Sequence, residues 1–162
     1  MATSPAPSDA PSRPGAVAAA FDDDASLLVD LLKLATFIGT PMREGVADPL
    51  GVTPTDLRVI LALGGEGELA GHDLSEIMGV PPMNVSRALA GLLERGLVEP
   101  GHDPANRRRK PFRLTVAGAE VFRRTAPALG KVGANLFAGV SPADREAFRR
   151  ASQAVVARIT AR

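Results

Sequence analysis

From residue 27 onward the chain alternates helical apolar stripes with short polar or glycine-rich breaks. Leu27, Leu28, Leu31, Leu32, Leu34, Ala35 and Ile38 recur at the three-to-four-residue spacing that gathers side chains on one side of a helix. The acidic run at residues 22–24 would face the positive end of that helix's dipole. So broad a stripe fits burial against a second subunit as well as it fits an ordinary core helix. Residues 39–51, with Pro41 and Pro49, read as a connection with some helical content at 42–47. Residues 1–20 are rich in Ala, Pro and Ser and carry no long apolar side chain apart from Met1 and Val17, which reads as a disordered tail.

A second helix opens with Thr53 as N-cap, Pro54 at the first helical position and Asp56 in the first turn. Leu57, Ile60, Leu61 and Leu63 supply its buried side, and Gly64, Gly65 and Gly67 are expected to end it. Residues 68–70 fit a short strand, and residues 73–78 a short helix with Leu74, Ile77 and Met78 inward, stopped by Gly79. After Val80 and Pro81, Pro82 pre-sets the backbone for a helix over 82–95. At 100° per residue, Val85, Leu89 and Leu92 share one side of it, Met83, Arg87 and Ala90 lie opposite, and Asn84 and Ser86 flank them. The outer side is slim, polar and basic, suited to a groove about 12 Å wide. Two helices joined by a short turn with such a face form a helix-turn-helix arrangement, although an ordinary helical hairpin with a solvated face shares the pattern.

Gly96 closes that helix, and strands are expected at 97–100 and 112–115, with Phe112 and Leu114 inward and Arg113 outward. The stretch 101–110 between them suits a hairpin loop and ends in four consecutive cations, Arg107, Arg108, Arg109 and Lys110. Such a projecting run can reach phosphates or a minor groove; it can also be a solvated surface. Thr115 caps the next helix, which Pro127 and several glycines are expected to bend or interrupt. Ser141 then caps a last helix with Phe148, Val155, Val156 and Ile159 on its apolar side.

Net charge is only +1, so its distribution is what matters. Residues 1–52 hold seven acidic side chains against three basic ones, residues 119–162 eight basic against three acidic, and residues 82–115 seven basic against three acidic. The absence of cysteine removes disulfides, thiolate metal sites and thiol chemistry. No uninterrupted apolar run reaches the roughly 18 residues of a membrane span, and the opening residues lack the layout of a secretion signal, so a cytoplasmic protein without membrane contact is expected. An enzyme is the rival class. Its candidates would be His72 and His102, which have no nucleophile-base spacing around them, and no glycine-rich phosphate loop follows a strand. No metal and no cofactor are expected.

The segments Val85-Ser86-Arg87-Ala88-Leu89, Leu93-Glu94-Arg95-Gly96-Leu97-Val98, Asp103-Pro104-Ala105-Asn106-Arg107-Arg108 and Leu114-Thr115-Val116-Ala117-Gly118 together resemble the MarR family of bacterial winged-helix regulators. The resemblance spans roughly residues 53–118, with Asn106 where the family usually has a second aspartate. It implies a mainly α fold with a small β wing, a winged helix-turn-helix (53–118) flanked by N-terminal (21–52) and C-terminal (119–162) dimerisation helices. It also implies a homodimer on double-stranded DNA, commonly a repressor relieved by a small ligand. Carried onto this chain, Ser86 and Arg87 fall in the reading helix, with Met83 and Asn84 beside them, and Arg107 and Arg108 in the wing. Arg109 and Lys110 are assigned to phosphate on charge alone. The family's effector cleft would involve Phe37, Met42, Arg43 and Arg58, where an arginine could pair with an acidic aromatic ligand, or equally serve structural ion pairs and packing. A winged-helix module that binds protein and not DNA is the other open alternative.

Overall fold

A computed structural model of the chain describes residues 22–102 and 110–161. The tail expected at residues 1–20 lies outside the described residues. The chain divides into two units, Met1–Gly39 and Thr40–Arg162.

In the first unit, helix α1 (Asp23–Phe37) starts where the Asp22 carboxylate accepts the Ala25 N–H at 2.8 Å. None of its residues is buried, and Leu27, Leu28, Leu32 and Phe37 are among those left exposed. The helical stretch Asp23–Leu50 is long and apolar enough, by length and composition alone, to cross a membrane. That differs from the expectation drawn from uninterrupted runs, because Asp30 and Lys33 break the run without cancelling its mean hydropathy of 1.4.

The second unit carries the core. The expected connection at 39–51 is helical almost throughout, as α2 (Gly39–Met42), a π turn (Arg43–Ala47) and a 3-10 turn (Asp48–Leu50) that Gly51 closes at φ +67°. Tertiary burial explains the difference: Val46 and Ala47 are fully buried, and Gly45 lies so close to Val132 that a Cβ there would meet its Cγ2 at 2.3 Å. Helix α3 (Pro54–Glu66) opens with a reciprocal cap, Thr53 Oγ1 accepting from the Asp56 N–H and Asp56 accepting from the Thr53 N–H, each at 3.1 Å. The helix does not stop at Gly64. That residue sits mid-helix against the Phe122 ring, 2.3 Å from where its Cβ would be, so its smallness serves close approach and not termination.

Next come β1 (Leu69–Ala70), α4 (Gly71–Met78), α5 (Pro82–Glu94), β2 (Val98–Pro100) and β3 (Pro111–Leu114). The strands form one antiparallel sheet in the order β1-β3-β2, with Leu69 opposite Phe112 and Val98 opposite Leu114. Ile77, expected inward, is 54% exposed. On so short a helix Leu74 and Met78, one turn apart, define the buried stripe, and Ile77 falls about 80° from its centre.

Helix α6 (Val116–Leu136) is capped by Thr115 Oγ1, which accepts from the Gly118 N–H. It runs through Pro127 without interruption, contrary to one expected outcome. One ladder bond is missing at a proline, and Leu129 and Val132, packed on the core just beyond it, hold the helix in register. Helix α7 (Pro142–Thr160) begins at its expected Ser141 cap and has no buried residue. Arg145 ties it back to α6 by donating to the Phe137 and Val140 carbonyls, and the Phe137 and Phe148 rings meet at 5.7 Å. The core itself is built by Val46, Val59, Ile60, Leu74, Val85 and Leu92, all essentially inaccessible.

Gly118 fixes how α6 leaves the sheet, since a Cβ there would lie 1.9 Å from the Leu97 carbonyl oxygen. Gly118→Ala is expected to cost about 1–3 kcal/mol in urea unfolding by overpacking. Gly130→Ala, with open space around its Cβ, should gain about 0.5–1 kcal/mol by helix propensity. Equal stability of Gly118→Ala and the parent chain would contradict the close approach.

Candidate nucleic-acid interface

The candidate surface is built around α4, its turn and α5. Gly79 turns the chain out of α4 in a left-handed conformation (φ +61°), a position that favours glycine. Two side chains clamp the turn: Ser75 Oγ donates to the Val80 carbonyl at 2.6 Å, and the Arg58 guanidinium donates to the Met78 carbonyl. A cation suits that place because the last carbonyls of a helix carry partial negative charge. Pro81 and Pro82 then start α5 with little conformational latitude.

On α5, Val85, Ala88, Leu89 and Leu92 are buried, which leaves Met83, Asn84, Ser86, Arg87 and Ala90 exposed. Asn84 and Arg87 come together with Thr53, Thr55 and Asp56 from the start of α3 in an open cleft of about 480 Å³. Sequence reasoning missed Thr55, because the pairing of α3 with α5 joins segments some thirty residues apart and no local signal marks it. Arg95 fastens the far end of α5 to the same region, donating to the Gly51 carbonyl at 2.8 Å with its guanidinium 4.0 Å from the Asp56 carboxylate.

The β2–β3 hairpin lies beside this surface in the chain's order. Arg113, one of the basic side chains of residues 82–115, is held between Glu99 at 2.8 Å and Glu68 at 3.6 Å, so much of its charge is spent inside the wing stem. Glu68 also accepts the His102 N–H at 3.1 Å. Lys110 is exposed at the foot of β3. Arg107, Arg108 and Arg109 lie outside the described residues, as do Asp103 and Asn106.

The residues expected to meet an effector are divided between the two units. Phe37 is 74% exposed at the end of α1, in the first unit. In the second, Met42 is half-buried, Arg43 pairs with Glu44 at 3.0 Å and Asp48 at 3.2 Å, and Arg58 serves the α4–α5 turn. His72 pairs with Asp73 at 2.9 Å, and among the described residues no three His, Asp or Glu side chains gather as a metal site.

Comparison with known proteins matches residues 50–109 to the model of the MarR family. No curated protein sequence matches the chain. Among solved structures, a MarR-family transcriptional regulator from Silicibacter pomeroyi is 26% identical, with a TM-score of 0.68 over 82% of this chain and 88% of its own. BpsR of Bordetella bronchiseptica, whose DNA binding is regulated by 6-hydroxynicotinic acid, shares the fold at 21% identity, with a TM-score of 0.70 over 81% of this chain and 98% of its own. PcaV of Streptomyces coelicolor, a transcriptional regulator solved with its natural ligand, shares it at 23% identity, with a TM-score of 0.63 over 80% and 89%.

The turn clamp predicts a measurable local effect. Ser75→Ala should cost about 0.5–1.5 kcal/mol and speed amide hydrogen exchange at Val80, whose N–H bonds to the Ser75 carbonyl. Unchanged exchange there would mean that the hydroxyl does not hold the turn.

Proposed function

We propose that the chain, whose residues 50–109 match the MarR family model and whose fold is that of MarR-family regulators, is a winged helix-turn-helix transcriptional regulator of that family that binds a pseudo-palindromic operator as a homodimer and represses transcription until a small ligand releases it. Family membership itself implies DNA binding and a regulatory, non-enzymatic role.

The observation that carries the proposal is the outer face of α5, where exposed Asn84, Ser86 and Arg87 stand on a helix kept thin by Ala88, Ala90 and Gly91. A helix of that profile fits the major groove. Arg87 is assigned the bidentate contact to guanine O6 and N7, and Asn84 and Ser86 contact base edges or phosphate, with Met83 at the leading end. Arg107 and Arg108 are assigned to the minor groove, Arg109 and Lys110 to phosphate. Two copies related by a twofold axis would present their α5 helices about 34–36 Å apart, one turn of duplex.

Support for the dimer comes from large apolar side chains left exposed among the described residues. Leu27, Leu28, Leu32 and Phe37 on α1, and Phe148, Val156 and Ile159 on α7, are each between 46% and 74% exposed. A second copy is assigned to cover both helices. The opposite charges of residues 1–52 and 119–162 favour the contact, each exposed pair adding little.

The ligand is assigned as a small aromatic or acidic molecule near Phe37, Met42, Arg43 and Arg58, on the analogy of the ligands that regulate or occupy BpsR and PcaV. Such a carboxylate must compete with Glu44 and Asp48 for Arg43. It acts by favouring a dimer whose reading helices are wrongly spaced. The protein works in the cytoplasm, where its operator is.

Arg87→Ala is expected to weaken operator binding by about 1–3 kcal/mol and relax preference at one position of each half-site. A binding-site selection that returns the parent sequence would remove Arg87 from the reading role. Replacing Arg107, Arg108, Arg109 and Lys110 together with alanine should weaken binding on every duplex and make the slope of log affinity against log salt shallower by roughly 0.9 for each phosphate no longer neutralised. A salt-independent interaction would favour a protein partner in place of DNA. Deleting residues 142–162 should give monomeric or aggregated protein without operator affinity; a folded, fully binding product would contradict the dimer.

A further inference from the structure

We infer that Met83 is a specificity-determining residue that reads the 5-methyl group of a thymine lying one or two base pairs from the guanine contacted by Arg87. The inference rests on the DNA-reading role proposed for α5 and adds to it a base and a position.

Met83 is 71% exposed, the largest apolar side chain on a face otherwise made of polar or small residues. Isolated apolar residues at a protein surface are ordinary, so exposure alone decides nothing; placement does. Met83 is the second residue of α5, directly after Pro81 and Pro82, and the rigid start of the helix leaves its backbone no freedom to turn the side chain inward. It lies one turn before Arg87 on the same stripe, with Ala90 one turn beyond. Residues four apart on a helix stand about 6 Å from one another, while successive base pairs are separated by about 3.4 Å. A helix lying along the groove therefore delivers Met83 and Arg87 to base pairs one or two steps apart.

The major-groove edge offers one alkyl group, the thymine methyl; the other groups that tell the base pairs apart there are hydrogen-bond donors and acceptors, beside the small C–H of cytosine. A thioether side chain has neither donor nor strong acceptor to match the rest. Its unbranched, polarizable chain is well suited to cover a methyl whose position shifts with local duplex shape.

The test selects an operator from random duplexes with the parent protein and replaces its thymines one at a time, in both half-sites, with deoxyuridine, which removes only the methyl. Affinities are measured for the parent, Met83→Ala and Met83→Gln. At one thymine, next to or one step beyond the guanine whose preference Arg87→Ala relaxes, deoxyuridine should weaken the parent about fourfold per half-site, as expected for burying one methyl. Both Met83 variants should show no further weakening at that position and the parent's response at all others. Met83→Gln keeps the side chain's length, and melting curves check that both variants fold. Equal deoxyuridine effects in parent and variants, or no effect at any thymine near that guanine, would overturn the assignment to Met83 while leaving α5 as the reading helix. A parent protein that enriches no sequence would overturn both.

Discussion

The packing of Val85, Ala88, Leu89 and Leu92 into the core, each at most 7% exposed, sets the rotation of α5 about its own axis, and the functional surface follows from it. With 3.6 residues per turn, fixing the inward stripe leaves no choice about what faces out. A rotation by one residue that brought positions 84, 87, 88 and 91 inward would bury Asn84 and Arg87 and expose Leu89. Desolvating an unpaired guanidinium costs far more than any repacking could return. Met83, Asn84, Ser86 and Arg87 are outward because four apolar neighbours are inward.

Position along the surface is set by polar contacts at the ends of the helix. Ser75 and Arg58 fix the turn that delivers the chain into α5, and Arg95 returns its far end to the start of α3. The cleft that holds Asn84, Arg87, Thr53 and Thr55 is the product of those anchors. The sheet is braced similarly: Arg113 between Glu99 and Glu68 locks β3 to β2 and to the segment before β1. Cations that a charge count assigns to a ligand surface are thus divided between structural pairs and exposed groups, and only partners in space separate the two.

Much of the fold was legible in the sequence because its signals are local. Thr53, Thr115 and Ser141 each cap the helix they were expected to cap, and the three-to-four-residue spacing of Val85, Leu89 and Leu92 gave the inner side of α5 correctly. Three of the failures share one cause. Glycine and proline were read as punctuation at residues 39–51, at Gly64 and at Pro127, where burial of Val46 and Ala47, contact with Phe122, and the packing of Leu129 and Val132 decide the conformation instead. At the candidate interface, the outward residues of α5 were readable from periodicity. The partners of Arg58, twenty residues away at Met78, and of Arg113, at Glu68, were not, since nothing in a linear pattern encodes them.

The apolar sides of α1 and α7 give the same physics an unfinished form, with large side chains left exposed among the described residues. The account holds that a twofold mate covers them and that the pair sets two α5 helices against one side of a duplex. Dimethyl sulfate probing of guanine N7 on a bound operator, with the complex's mass measured in the same solution, tests this most directly. The account predicts two protein copies per duplex and two patches of N7 protection one helical turn apart, on the same face. Tight binding by a single copy, or with every N7 left reactive, would contradict it.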